Sequence, residues 1–175
     1  LISSRPVIIG LLLLLLSPSG WPASALETKV KAAYLLNFAR FVSWPNTHLA
    51  DGDVLRICTF NNDPFDQYLI ALEQKTVSGH RLQISNMREA RDVGGCHILF
   101  ITESAAASIQ QLVAIARHEA ILTVSDHPGF TDAGGIIRFV QKRGRVRFVI
   151  NNQTAIESGL KVKSQLLELA AEVKH

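Results

Sequence analysis

The stretch CHILFITESAAASIQQLVAIARHEAILTVSD, residues 96–126, decides the fold. Its ends, CHILFIT (96–102) and EAILTVSD (119–126), are short apolar runs, too brief for helices and rich in β-formers. Between them, ESAAASIQQLVAIARH (103–118) has helical length and apolar spacing, with Ser104 placed to cap its start. Two apolar strands joined by a helix form a parallel crossover unit. Parallel strands cannot be joined by a tight turn, and helices cover both of their faces.

The same pattern extends upstream. VLRICTF (54–60) reads as a buried strand and HRLQISN (80–86) as an alternating one. PFDQYLIALEQKTV (64–77) reads as a helix with Pro64 at its first position, and MREARDVGG (87–95) as a short helix stopped by two glycines. KAAYLLNFARFVSWP (31–45) reads as a helix that is apolar around most of its circumference. Its polar stripe runs through Lys29, Asn37, Arg40 and Ser43. Such a helix needs cover on nearly every side, either from the C-terminal helix or from a second chain. Downstream, IIRFVQKRGRVRFVIN (136–151) reads as a β-hairpin turning at Lys142-Arg143-Gly144. Thr154 and Glu157 are spaced as a capping box, Gly159 stops that helix, and LKVKS (160–164) reads as a short strand. SQLLELAAEV (164–173) reads as a closing helix with Leu166, Leu167, Leu169 and Ala170 inward. The expected fold is α/β: one compact domain with a mostly parallel sheet, helices on both faces, and a C-terminal antiparallel hairpin at one edge.

Residues 1–25 stand apart. Arg5 precedes the apolar run VIIGLLLLLL (7–16), and Ala23-Ser24-Ala25 is a small-residue cleavage site. This is the layout of a secretory signal peptide. Ten apolar residues reach about 15 Å as a helix, half the thickness of a membrane core. Export to the periplasm is expected, with a soluble mature domain over residues 26–175. Arg5 is the only charged residue of the leader, so its removal takes the net charge from +3 to +2. So small a balance makes no case for nucleic acid.

Cys58 lies within the first strand and Cys96 at the start of the third. In a 2-1-3 strand order these strands are neighbours, and matched registers would put the cysteines in bonding reach. Either one disulfide or two buried thiols follows. Their spacing is nothing like CxxC.

Signals for enzymatic chemistry are weak. There is no GxSxG, no P-loop and no GxGxxG, and the turn after the first strand, FNNDPF, has no glycine. The six histidines show neither HxxxH nor HExxH spacing, so neither a metal nor a cofactor is expected. Asn61, Asp126 and His127 follow strands at the carboxyl edge of the sheet, where open α/β folds bind ligands. They are the candidate ligand-edge residues. A hydrolase built on Asp126 and His127 is a weaker reading. Arg138, Arg145 and Arg147 on the hairpin suit an acidic partner, or protect an edge strand. Arg40 and Trp44 at the end of the first helix are further candidates for a partner surface.

The helix KAAYLLNFARFVSWP, then LRICTF with DPF, GCHILFI, ILTVSDHPGF, GGIIRFV with VRFVIN, and SQLLELA occur in this order. Together they resemble the YfiR-like family of bacterial periplasmic repressors over about residues 29–173. The resemblance implies a non-enzymatic protein that binds the sensor region of an inner-membrane diguanylate cyclase and lowers cyclic-di-GMP, with effects on biofilm and exopolysaccharide. It implies sequestration by an outer-membrane lipoprotein, a compact α/β fold that is often a homodimer, and a Cys58–Cys96 disulfide. No cysteine follows Cys96, so redox switching through a second, C-terminal pair does not carry over. The alternative function is a periplasmic small-ligand-binding protein.

Overall fold

A computed structural model describes residues 23–175 except positions 62, 63, 66 and 74. The expected leader, apart from its last three residues, lies outside the described residues. In chain order the elements are α1 (Ala23–Phe41), β1 (Val42–Ser43), β2 (Val54–Phe60), α2 (Gln67–Ile70), β3 (Thr76–Val77), β4 (His80–Met87) and β5 (Ile98–Ile101). They continue as α3 (Ile109–His118), β6 (Leu122–Ser125), β7 (Ile137–Lys142), β8 (Arg145–Asn151), α4 (Asn152–Glu157), β9 (Lys161–Val162), α5 (Ser164–Leu169) and β10 (Glu172–Lys174). Short 3₁₀ helices cover Ala90–Gly95 and Glu103–Ser108.

Eight strands form one sheet in the order β10-β8-β7-β6-β5-β2-β4-β3, and β1 and β9 make a separate antiparallel pair. Neighbours from β4 to β7 are parallel, as the crossover reading requires. The strands read first, second and third from the sequence take the 2-1-3 order as β4, β2 and β5. One face buries Leu55, Ile57, Ile98, Phe100, Leu122 and Val124 beneath α1; the other buries Cys58, Leu99 and Ile101 beneath α3.

α1 runs antiparallel to the strands and shelters Leu35, Phe38 and Ala39 against the sheet. Its second flank is met by α2 and α5, with Leu166 buried in the same core. Cover from within the chain therefore answers the question its apolar circumference raised. The exposed side carries Lys29, Arg40 and, just past the helix end, Ser43.

Several expected elements are shorter than read. α1 stops at Phe41 rather than running to Pro45. Trp44 precedes proline and is pushed out of helical backbone, while Val42–Ser43 pairs with Lys161–Val162. Lys163 closes the helix end by donating its backbone N–H to the Phe41 carbonyl and its ammonium to the Arg40 carbonyl. The helix read over 64–77 reduces to Gln67–Ile70. Ser78 and Gly79 have positive φ (52° and 87°), and this turn folds Thr76–Val77 back on β4 as a hairpin. The closing helix ends at Leu169, because Glu172–Lys174 turns into an edge strand parallel to β8. Leu169 is 55% exposed, not inward. The capping box is replaced by Asn151, whose side-chain oxygen accepts from the Thr154 N–H at 3.0 Å. Glu157 instead accepts from Gln153. The segment 103–118 is a 3₁₀ turn followed by α3, and the Ser104 hydroxyl bonds the Thr102 hydroxyl rather than capping.

Gly135 is obligatory. A Cβ there would run into the ring of Phe130, which is fully buried under α3.

Candidate functional site

The carboxyl edge of the sheet holds a small cleft of about 230 Å³. Three elements build it: the first turns of α1 (Glu27, Lys31), the exits of β5 and β6 (Glu103, Asp126), and the hairpin (Phe139, Val140, Gln141, Val146). The Lys31 ammonium bridges Glu27 at 2.6 Å and Asp126 at 3.0 Å, above the Phe139 ring. Burial alone would lower the lysine's pKa. The hydrogen bonds and charges of Glu27 and Asp126 outweigh it, and the net shift is upward. Lys31 is therefore held as a cation between the two carboxylates. The second carboxylate oxygen of Asp126 is buried with no hydrogen-bond partner among the described residues.

Of the ligand-edge residues, Asp126 alone lines this cleft. Asn61 is exposed at φ 70°, its N–H bound to the Met87 carbonyl. His127 is half-buried, with its N–H bound to the Ser125 hydroxyl. Asp126 is tied to Lys31, and no hydrogen bond joins it to the His127 ring. The pair is thus not organised as a hydrolytic dyad. Lys31 and Glu27 escaped the sequence reading, although an i,i+4 acid–base pair in a mostly apolar helix was a visible signal.

The partner candidates separate. Trp44 is buried at the opposite, amino edge of the sheet, where its indole N–H reaches the His97 carbonyl at 3.2 Å. Its expected role as an exposed interface residue does not fit that burial. Arg40 is exposed nearby. Arg138, Arg145 and Arg147 lie far from both, on one face of the hairpin, as period-two alternation dictates.

His97 knits the amino edge together. Its Nδ1 accepts from the Arg56 N–H at 3.0 Å, and its Nε2–H donates to the His48 carbonyl at 2.9 Å. This pattern requires the neutral ring. Burial first, and then the charges of Arg56, His48 and His80, push its pKa below the usual value, against the opposing pull of the His48 carbonyl. Unfolded His97 takes up a proton near pH 6.5, where the folded ring does not. Stability from this group is therefore complete above about pH 6.5 and is lost as pH falls from there towards the depressed folded value. Thermal melts at about pH 7.5 and about pH 5.5 should show a larger acid-induced drop for the native chain than for His97→Gln. Equal drops would contradict the assignment.

Cys58 and Cys96 form a disulfide with Cα atoms 5.9 Å apart, which excludes the free-thiol alternative. Cys96 precedes β5 rather than beginning it. The ladder pairs Cys58 with Leu99, so the bond reaches back to the end of the Ala90–Gly95 turn.

Among the described residues, no group of three or more His, Cys, Asp or Glu side chains is placed to hold a metal, and no helix is long and apolar enough to cross a membrane.

Among known structures, one that aligns above a TM-score of 0.5 shares the fold at low identity. A conserved domain protein from Vibrio cholerae O1 biovar El Tor aligns at TM-score 0.51 and 12% identity, over 84% of this chain and 60% of that one. An ABC domain in complex with L-Trp from Streptococcus pneumoniae aligns at 0.48 and 10%, over 69% and 55%. An open, ligand-free substrate-binding protein with adhesive properties from Clostridium difficile aligns at 0.49 and 11%, over 83% and 59%. The chain thus spans between 55% and 60% of the length of these proteins. No curated protein gives a significant match. A protein family does: DUF4154, described as YfiR/HmsC-like, matches residues 28–171, from the first turns of α1 to the residue before β10. The chain belongs to the YfiR/HmsC-like family.

Proposed function

We propose that this protein is a non-enzymatic regulator of the periplasm. It binds the extracytoplasmic sensor region of an inner-membrane diguanylate cyclase and holds it inactive, lowering cyclic-di-GMP and with it biofilm and exopolysaccharide output. The family match across nearly the whole described domain carries this reading. The disulfide agrees with an oxidising compartment. The mechanism is preferential binding to the inactive state of the sensor, because a ligand shifts an equilibrium only by its unequal affinity for the two states. Release follows competition by another partner, such as an outer-membrane lipoprotein, or loss of the disulfide. The test is cyclic-di-GMP measured in cells with and without the gene. A rise on deletion that complementation reverses is expected, and unchanged levels would overturn the reading.

One observation favours a second activity, small-ligand binding. The cleft at the carboxyl edge carries an acceptor oxygen of Asp126 that nothing in the described chain uses. A thermal-shift screen of amino acids and amines tests it. A ligand at about 100 times its Kd adds about 2.7 kcal/mol. No shift across the screen would remove this activity.

A further inference from the structure

β7 pairs with β6 only at Ile137 and Arg138, and β10 pairs with β8 only at Val149–Asn151. Between these limits, Phe139 to Phe148 projects past the sheet as a two-stranded arm. Its two faces differ sharply. Phe139 and Phe148 lie opposite each other and are buried against Tyr34 and Phe38 of α1. The other face presents Lys142 opposite Arg145 and Val140 opposite Arg147, with Arg143 at the tip and Arg138 at the base.

Like charges set directly across a ladder destabilise it. Here the charges are not neutralised within the fold. Among the described residues, no carboxylate lies within ion-pair distance of Lys142, Arg143, Arg145 or Arg147. Arg147 is held in place instead by a 3.0 Å hydrogen bond from its guanidinium to the Leu169 carbonyl. These four cations, with Ala170 and Ala171 as a small-residue wall, line an open groove of about 550 Å³. Exposed Leu169 adjoins it.

We infer that this groove is the surface by which the protein docks an acidic segment of a protein partner. The inference rests on the regulatory reading and names the surface that would serve it. Three features favour a protein over other anions. The cations surround a recess, which a protruding chain can enter and a flat bilayer cannot. The short Ala170–Ala171 wall lets a backbone approach, with Leu169 beside it to meet an apolar side chain. The whole chain carries only +3, so attraction is local to this groove rather than a field suited to nucleic acid. The arginine forks match carboxylates in bidentate fashion.

The test measures binding of a labelled oligoglutamate peptide and of phosphatidylglycerol vesicles to the exported protein. The peptide should bind, more weakly as salt rises. Lys142→Ser/Arg145→Ser/Arg147→Ser should weaken it at least about tenfold, and Arg88→Ser/Arg91→Ser on a distant surface should not. If the triple variant fails to fold, Arg143→Asn/Arg145→Ser changes only exposed side chains, and Asn suits the positive φ of position 143. Peptide binding that survives these substitutions, or vesicle binding without peptide binding, overturns the inference. Cyclic-di-GMP separates it from the parent reading. If the native protein and the folded triple variant lower the nucleotide equally, the groove is wrong and the regulator stands. If neither lowers it while peptide binding needs the groove, the groove stands and the regulator is wrong.

Discussion

Phe38→Ala is expected to cost about 3–5 kcal/mol, a large share of the roughly 5–15 kcal/mol that holds a domain together. Phe38 is fully buried. Its ring meets Phe148 edge-on at 5.2 Å and lies near Phe139 at 5.9 Å and Tyr34 at 6.0 Å. Two of these four aromatics come from α1 and two from the hairpin about a hundred residues later, so the cluster is what fastens the hairpin to α1. Truncation leaves a cavity that rigid strands on one side and a helix on the other cannot close. Urea denaturation should show a lower midpoint at unchanged slope. Phe38→Leu, which keeps much of the volume, should cost less. Hydrogen exchange should rise first in residues 139–148, since that arm has no strand neighbour to hold it once the aromatic anchor is gone. A loss below about 1 kcal/mol would mean that the cluster is not what secures the arm.

The parts of the fold readable from sequence are those whose signal is local and strong. VLRICTF is a strand over 54–60 because six of its seven residues, all but Arg56, are apolar or β-branched, and the structure keeps those bounds. The hairpin at Arg143-Gly144 is likewise local, with both turn residues at positive φ. The misread elements are short segments whose state depends on a distant partner. Val42–Ser43 leaves the helix to pair with Lys161–Val162, and Glu172–Lys174 leaves it to extend beside β8. Helical spacing of apolar residues also serves a chain that buries them one by one, which is why 64–77 looked helical. The candidate site divides in the same way. Asp126 was legible from its place after a strand. Its partner Lys31, 95 residues earlier, becomes one only when α1 lies antiparallel over the sheet. Trp44 looked like an interface residue because it ends the helix flank that reads as exposed, and tryptophan is enriched at interface hot spots. It is instead buried in the main core, with its indole N–H on the carbonyl of His97, 53 residues away, a partner no local pattern announces.

Removing the disulfide is expected to have an effect of comparable size by a different route. Cys58 and Cys96 are 38 residues apart, and closing a loop of that length removes about 4 kcal/mol of chain entropy from the unfolded state. Cys58→Ala/Cys96→Ala, or full reduction, should therefore lower stability by about 4 kcal/mol and the Tm by roughly 8–16 °C for a domain of this size. The loss should not be spread evenly. The loop contains α2, β3, β4 and the Ala90–Gly95 turn, elements that are short or lie at the β3–β4 end of the sheet. β2 remains paired with β5 through four residues without the bond, so the centre of the sheet has its own support. The Ala90–Gly95 turn does not; it buries Val93 and is tied down by Cys96 at its end. Hydrogen exchange after reduction should accelerate most in residues 87–97 and least in β6 and β7. A uniform acceleration would show that the disulfide acts only on the unfolded chain. A local one would show that it also fixes the turn beneath α3, linking thiol chemistry to the shape of that face.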